Sequence, residues 1–173
     1  LLLAGFFFFS FSATAQQQSS YSLLLKRGDI IPEKNLLTAE VQKFNSQPQQ
    51  RVANQSFYIL QFEQIPSEVQ RKKLSASGIE LLDYIPNNAY SVSVRGSLDA
   101  VVLESVNTRS IIELKPEYKM EPGLVRGILP AGSAKVPGTV YVWISFYKSL
   151  SYEMIADQLT ENNFIINNSR LKD

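Results

Sequence analysis

Few kinds of side chain here could do covalent or acid–base chemistry. The chain of 173 residues carries 16 Asp+Glu and 17 Lys+Arg, with no His and no Cys. That removes the thiol nucleophile, the imidazole base, the disulfide and the Cys/His zinc site together. A Ser-His-Asp triad cannot be assembled from these residues alone. Residue types leave a carboxylate-only metal site or a Ser-Lys dyad open. The carboxylates are scattered, however, with no D-x-D-x-D-G loop, no Gly-rich phosphate cradle and no pair at a usable acid–base spacing. The sequence therefore predicts no catalytic, cofactor-binding or metal-binding residue, and a chain that is not by itself an enzyme. Arg71-Lys72-Lys73 reads as a solvated helix face. The net charge is +1, with no clustered basic excess, which argues against a nucleic-acid partner.

With chemistry so restricted, surfaces become the candidates for function, and the elements decide which surfaces exist. Residues 57–120 read as strand, helix, strand, hairpin, strand, helix, strand. That order predicts an α+β fold, the βαββαβ ferredoxin-like sandwich. Phe57-Tyr58-Ile59-Leu60-Gln61-Phe62 is apolar on both faces, as a central strand should be. Pro66 fits the first turn of a helix ending at Gly78, with a Glu68–Lys72 pair on its surface. Pro86-Asn87-Asn88 supplies a turn between strands at Ile79–Ile85 and Ala89–Val94, because Asn tolerates positive φ. Tyr90, Val92 and Val94 point to one side of the second of these strands. Ala89, Ser91 and Ser93 point to the other and form a small, flat, polar face suited to water or a docked partner. Ser97 is expected to cap a helix whose stripe is Leu98, Val101, Val102 and Val106. A fourth strand is expected over Ile111–Met120, with Pro116 marking an edge or a bulge.

Five segments follow from this reading. Residues 1–15 look like a signal peptide without its basic n-region: an apolar run over Leu1–Phe9, then Ala13-Thr14-Ala15, with cleavage expected between Ala15 and Gln16. Residues 16–55 hold a short strand at 21–26, turns at Gly28-Asp29 and Pro32, a helix over 36–44 capped by Asn35, and a Gln/Asn-rich linker. Residues 56–120 are the complete module, and 121–138 are a Pro/Gly linker. Residues 139–173 begin the pattern again as a truncated βαβ copy. In that copy Tyr141–Phe146 matches the central strand in character, and Ser151 caps a helix holding Met154, Ile155 and Leu159. Asn162-Asn163 takes the place of Gly78, and Phe164–Ile166 starts another strand. The expected location is exported, in the periplasm, at the cell surface or outside the cell, with no membrane association after processing.

Three stretches carry a family resemblance: Phe57–Phe62, Leu74–Gly78, and Leu82-Asp83-Tyr84-Ile85-Pro86-Asn87-Asn88-Ala89-Tyr90. Together they resemble the N-terminal pro-region of exported subtilisin-like serine proteases of the Bacteroidetes type. The resemblance implies ferredoxin-like propeptide modules placed between a signal peptide and a catalytic domain. It implies a partner in cis, the protease domain downstream, which the module helps to fold and then inhibits. The face of Ala89, Ser91 and Ser93 becomes the candidate docking surface. This chain departs from the family in lacking a catalytic domain, so no protease activity is carried onto its residues. The competing reading is a non-enzymatic exported binding module with tandem ferredoxin-like units. An RNA-binding domain fits poorly, because the third strand lacks the stacking-aromatic pattern such domains use.

Overall fold

Strand β3 (Gln55–Phe62) is the centre of the molecule, paired along both edges as its two-sided apolarity predicts. The computed structural model describes residues 21–25, 28–35, 38–46, 51–134 and 136–167. The expected signal segment, with Ala15 and Gln16, lies outside them. Ahead of β3 come the strands β1 (Leu23–Leu25) and β2 (Gly28–Ile30) and the helix α1 (Thr38–Ser46). After it follow α2 (Glu68–Ala76), β4 (Ile79–Ile85), β5 (Ala89–Arg95), α3 (Ala100–Ser105) and β6 (Thr108–Glu113). Two single-turn helices, α4 (Pro116–Lys119) and α5 (Pro122–Val125), lead to α6 (Tyr152–Glu161). The fold is mixed α+β. Strands β1 and β2 form a separate antiparallel hairpin, and the other four form an antiparallel sheet in the order β4-β5-β3-β6.

Alternation on the strands builds one large core. Tyr58, Leu60 and Phe62 of β3 share a face with Tyr90, Val92 and Val94 of β5, with Ile79 and with Ile111. Leu74 of α2, Leu103 and Val106 around α3, and Val41 of α1 cover that face. Full burial of a side chain such as Phe62 or Leu74 contributes on the order of 1.5–3 kcal/mol. Helix α2 starts at a capping box: the Ser67 side chain accepts from the Gln70 amide, and the Gln70 side chain accepts from the Ser67 amide. It stops at Gly78, where φ is +84° and a Cβ would sit 2.6 Å from the Arg95 carbonyl oxygen. Only glycine fits there. The expected Glu68–Lys72 pair is present at 3.1 Å on the exposed surface. Asn87 and Asn88 both take positive φ in the β4–β5 turn, as their type predicts.

Several local expectations are corrected. Gly28-Asp29 does not turn the chain but lies in β2, opposite Leu25 and Leu24. The sequence makes Asn35 a helix cap, yet its amide bonds both the N–H and the C=O of Ile111 at 2.9 and 3.0 Å, occupying the outer edge of β6. The fourth strand ends at Glu113, and Pro116 opens α4 instead of continuing it, since proline's fixed φ suits a first helical turn. Asp99, not Ser97, caps α3, accepting from the Val101 and Val102 amides. This later start turns Val101 outward, 73% exposed, and puts Leu103 inside. In the C-terminal copy only the helix forms as expected: Ser151 caps α6, and Asn163 takes positive φ after it. Neither Tyr141–Phe146 nor Phe164–Ile166 is a strand, because among the described residues no neighbouring strand offers either a ladder.

Candidate docking face

The four-stranded sheet has a second face, built from the alternate residues of the same strands. Phe57, Ile59 and Gln61 come from β3, Ala89, Ser91 and Ser93 from β5, and Ser110 and Ile112 from β6. The sequence marks the three β5 residues as a face open to water or to a partner. In the structure they are buried, with 0% of Ala89, 4% of Ser91 and 1% of Ser93 exposed. The cover comes from the same chain. Leu23, Leu25 and Ile30 of the β1–β2 hairpin pack with Ile59, Ala89, Ile85 and Ile112 in a cluster that shares no residue with the main core. Farther along β3, the ring of Tyr147 stacks on Phe57 with centroids 5.2 Å apart. Small residues serve this floor because they let the covering segments approach closely. The Ser91 hydroxyl is satisfied within the sheet, accepting from the Asp83 amide at 3.0 Å, where the β4–β5 register shifts.

A polar network fastens the hairpin over this face. Gln61 is the polar residue within the apolar run Phe57–Phe62 of β3 and is fully buried. Its Nε2 donates to the carbonyls of Tyr21 and Asn87, both at 3.0 Å, and its Oε1 accepts from Arg109 Nη1 at 3.3 Å. A buried amide needs such partners, because leaving it unpaired costs about 1–3 kcal/mol. Asn87 Nδ2 donates to the Ser22 carbonyl. Arg109 also donates to the Pro32 carbonyl at 2.8 Å, and its guanidinium lies 4.1 Å from the centroid of the Tyr21 ring. The Tyr21 hydroxyl donates to Glu63 Oε2 at 2.6 Å, while Lys34 pairs with Glu63 Oε1 at 2.9 Å. The hydrogen bonds from Tyr21 and then Lys34 stabilise the charged carboxylate and hold Glu63 below the usual glutamate range. The same bond to Glu63, with burial second, pushes the Tyr21 hydroxyl above its ordinary value.

This arrangement holds the hairpin on the sheet. Among the described residues no group of three or more Cys, His, Asp or Glu is placed to bind a metal ion, and no helix is long and apolar enough to cross a membrane. Arg71 is more than a solvated cation: it donates to the Tyr90 hydroxyl at 2.7 Å and lies over that ring. Sequence reasoning found the β5 face but missed Tyr21, Gln61, Glu63 and Arg109. Gln61 carried a signal, as the lone polar residue of Phe57–Phe62. The others come together only through the fold, over separations of about 40 residues.

A family model described as a "Domain of unknown function (DUF8729)" matches residues 24–115, just over half of the chain. The chain belongs to the DUF8729 family. No curated protein and no solved structure matches it. The DUF8729 match begins inside β1 and ends two residues after β6. The four-stranded sheet, β2 and most of β1 thus lie within the DUF8729 span, together with Gln61, Glu63, Asn87 and Arg109 of the fastening network; Tyr21, Ser22 and Leu23 lie just before it, and α6 with its flanking segments lies after it.

Proposed function

We propose that this chain is a non-catalytic, ferredoxin-like pro-region module of an exported subtilisin-like serine protease. It assists the folding of, and inhibits, a catalytic domain carried on the same polypeptide. The observation that carries this reading is the division of labour across the sheet. One face is filled by the helices into a self-sufficient core. The other is a flat floor of Ala89, Ser91, Ser93 and Ile59, built to accept protein segments. The β4-β5-β3-β6 order, with each helix crossing between strands, supports a ferredoxin-like assignment. Apolar side chains on the C-terminal segment, with Trp143 82% and Ile165 79% exposed, support further protein contact. Binding the folded catalytic domain in preference to its unfolded chain would stabilise it by ordinary linkage.

The test is the coding sequence beyond Asp173. The expected result is a D-[ST]-G motif, a His-Gly motif and a Gly-Thr-Ser motif in that order. A stop codon directly after Asp173, or adhesion and sorting domains in place of these motifs, contradicts the proposal. Purified chain added in trans to the catalytic domain should then inhibit peptide hydrolysis in a saturable way.

A further inference from the structure

We infer that residues 139–166 form one half of a two-fold interface between two copies of this chain. The run Val142–Phe146 of each copy enters the other as the strand that its own half lacks. This does not rest on the pro-region reading. The complete module shows why such a half needs a second one. Its sheet order, β4-β5-β3-β6, reads the same from either end when the half β3-α2-β4 is exchanged for β5-α3-β6. Strands β3 and β4 of the first half are therefore not neighbours. Strand β5 of the second half lies between them and pairs antiparallel with both. Taken alone, a half of this kind has two strands about 9.5 Å apart, with one strand's width open between them.

Residues 139–166 follow the plan of that first half and are left open at the same place. A cavity of about 290 Å³ lies among their parts, lined by Ile144 and Phe146 of the first apolar run, Ile155 and Leu159 of α6, and Phe164 of the second run. No backbone hydrogen bond joins Val142–Phe146 to another described residue, so its N–H and C=O groups are open to a ladder. Three observations choose a second copy as the occupant. First, Thr139–Tyr147 holds no charged residue and no proline. Antiparallel pairing about a two-fold axis sets a run against itself, where any charge would meet its own like. Second, the module's sheet edges are guarded and this run is not. Asn35 occupies the outer edge of β6, and exposed Glu80 and Asp83 sit on β4. Third, nine apolar side chains, from Val140 to Ile144, at Met154 and from Phe164 to Ile166, are each more than a third exposed. Burying them withdraws on the order of 800 Å² per copy, which is what a standard specific interface takes from each partner. The exposed acidic stripe of Glu153, Asp157 and Glu161 lies across α6 from Ile155 and Leu159, so it stays in water.

The test is the mass of the full chain as a function of its concentration. Sedimentation from about 1 µM to about 500 µM should show monomer passing to dimer and stopping there. Trp143 is the chain's one tryptophan and is 82% exposed, so its emission should shift to the blue along the same curve. Amide protection at Val142–Phe146, absent in the monomer, should appear with the dimer. Ile144→Lys sets like charges against each other across the two-fold axis and should weaken association at least about tenfold. The same change should leave the urea midpoint of the main transition where it is. A chain that stays monomeric over the whole range would overturn the inference. So would masses growing past the dimer, which mark open-ended strand stacking in place of a closed two-fold. A dimer equally stable in Ile144→Lys places the contact elsewhere and contradicts it as well.

Discussion

The β3-α2-β4 unit and the segment 139–166 follow the same sequence plan, and only the first becomes a sheet. Each has an aromatic-rich apolar run, a Ser-capped helix with a leucine near its end, and an αL residue before the next apolar run. Phe57–Phe62 is paired through β5 on one side and β6 on the other. Tyr141–Phe146 pairs with none of the described strands, and its Tyr141 amide donates to the Ser133 carbonyl at 2.7 Å. Leu74 is fully buried, whereas Leu159 is only half-buried. The local pattern is therefore permissive, and pairing partners decide. A helix can form alone because its bonds lie within the segment. A strand cannot, because its bonds lie with its neighbours.

The largest contrast should come from the two cores. Phe62→Ala should cost about 3–5 kcal/mol and Leu74→Ala about 2–5 kcal/mol, read as a fall in the urea midpoint of the main transition. Leu159→Ala should leave that midpoint within experimental error. If Leu159→Ala matches Leu74→Ala, the two regions share one cooperative unit and the comparison collapses. Next in size is the helix stop. Gly78→Ala forces a Cβ against the Arg95 carbonyl at positive φ and should cost about 1–3 kcal/mol. Asn163→Ala, at the equivalent place after α6, should leave the sheet's transition unmoved.

Asn35→Ala should cost about 1–3 kcal/mol, because it strips both partners from the Ile111 backbone at the edge of β6. The same change should raise amide exchange at Ile111 well above that at Ile59. The smallest effect is the pH dependence of the hairpin's fastening. Glu63 has its folded value lowered, so its contribution is intact above the usual glutamate range and is lost as pH falls through the lowered value. Tyr21 has its folded value raised, so its contribution is intact below the ordinary tyrosine value and is lost as pH rises through the raised one. Amide protection at Leu23–Leu25, corrected for intrinsic exchange, should therefore fall at both extremes, and Glu63→Gln should abolish the acid arm and shrink the alkaline one, because the bond to Glu63 is the largest cause of the Tyr21 shift.

What could be read from the sequence was what short-range chemistry decides. The central place of β3 shows in its two-sided apolarity, the β4–β5 turn in Asn87-Asn88, and α6 in Ser151 and Asn163. Competition between neighbouring residues hid the rest. Asp99 outcompeted Ser97 as a cap because its carboxylate reaches the Val101 and Val102 amides. The Ser67–Gln70 capping box is a local S-x-x-Q pattern at the start of α2. Asn35 was free to leave its helix because the Ile111 backbone, 76 residues away, offered a paired donor and acceptor. The docking face was the instructive case. Alternation on β5 correctly sorted Ala89, Ser91 and Ser93 from the main core. No local pattern could reveal that Leu23, Leu25 and Ile30 would lie on top of them.

The central claim, that pairing partners and not local pattern make a strand here, is tested most directly by amide exchange on the intact chain as a dilute monomer. Protection at Tyr141–Phe146 should be near that of an unfolded peptide, while Phe57–Phe62 exchanges only with global unfolding. Equal protection of the two runs would contradict the claim.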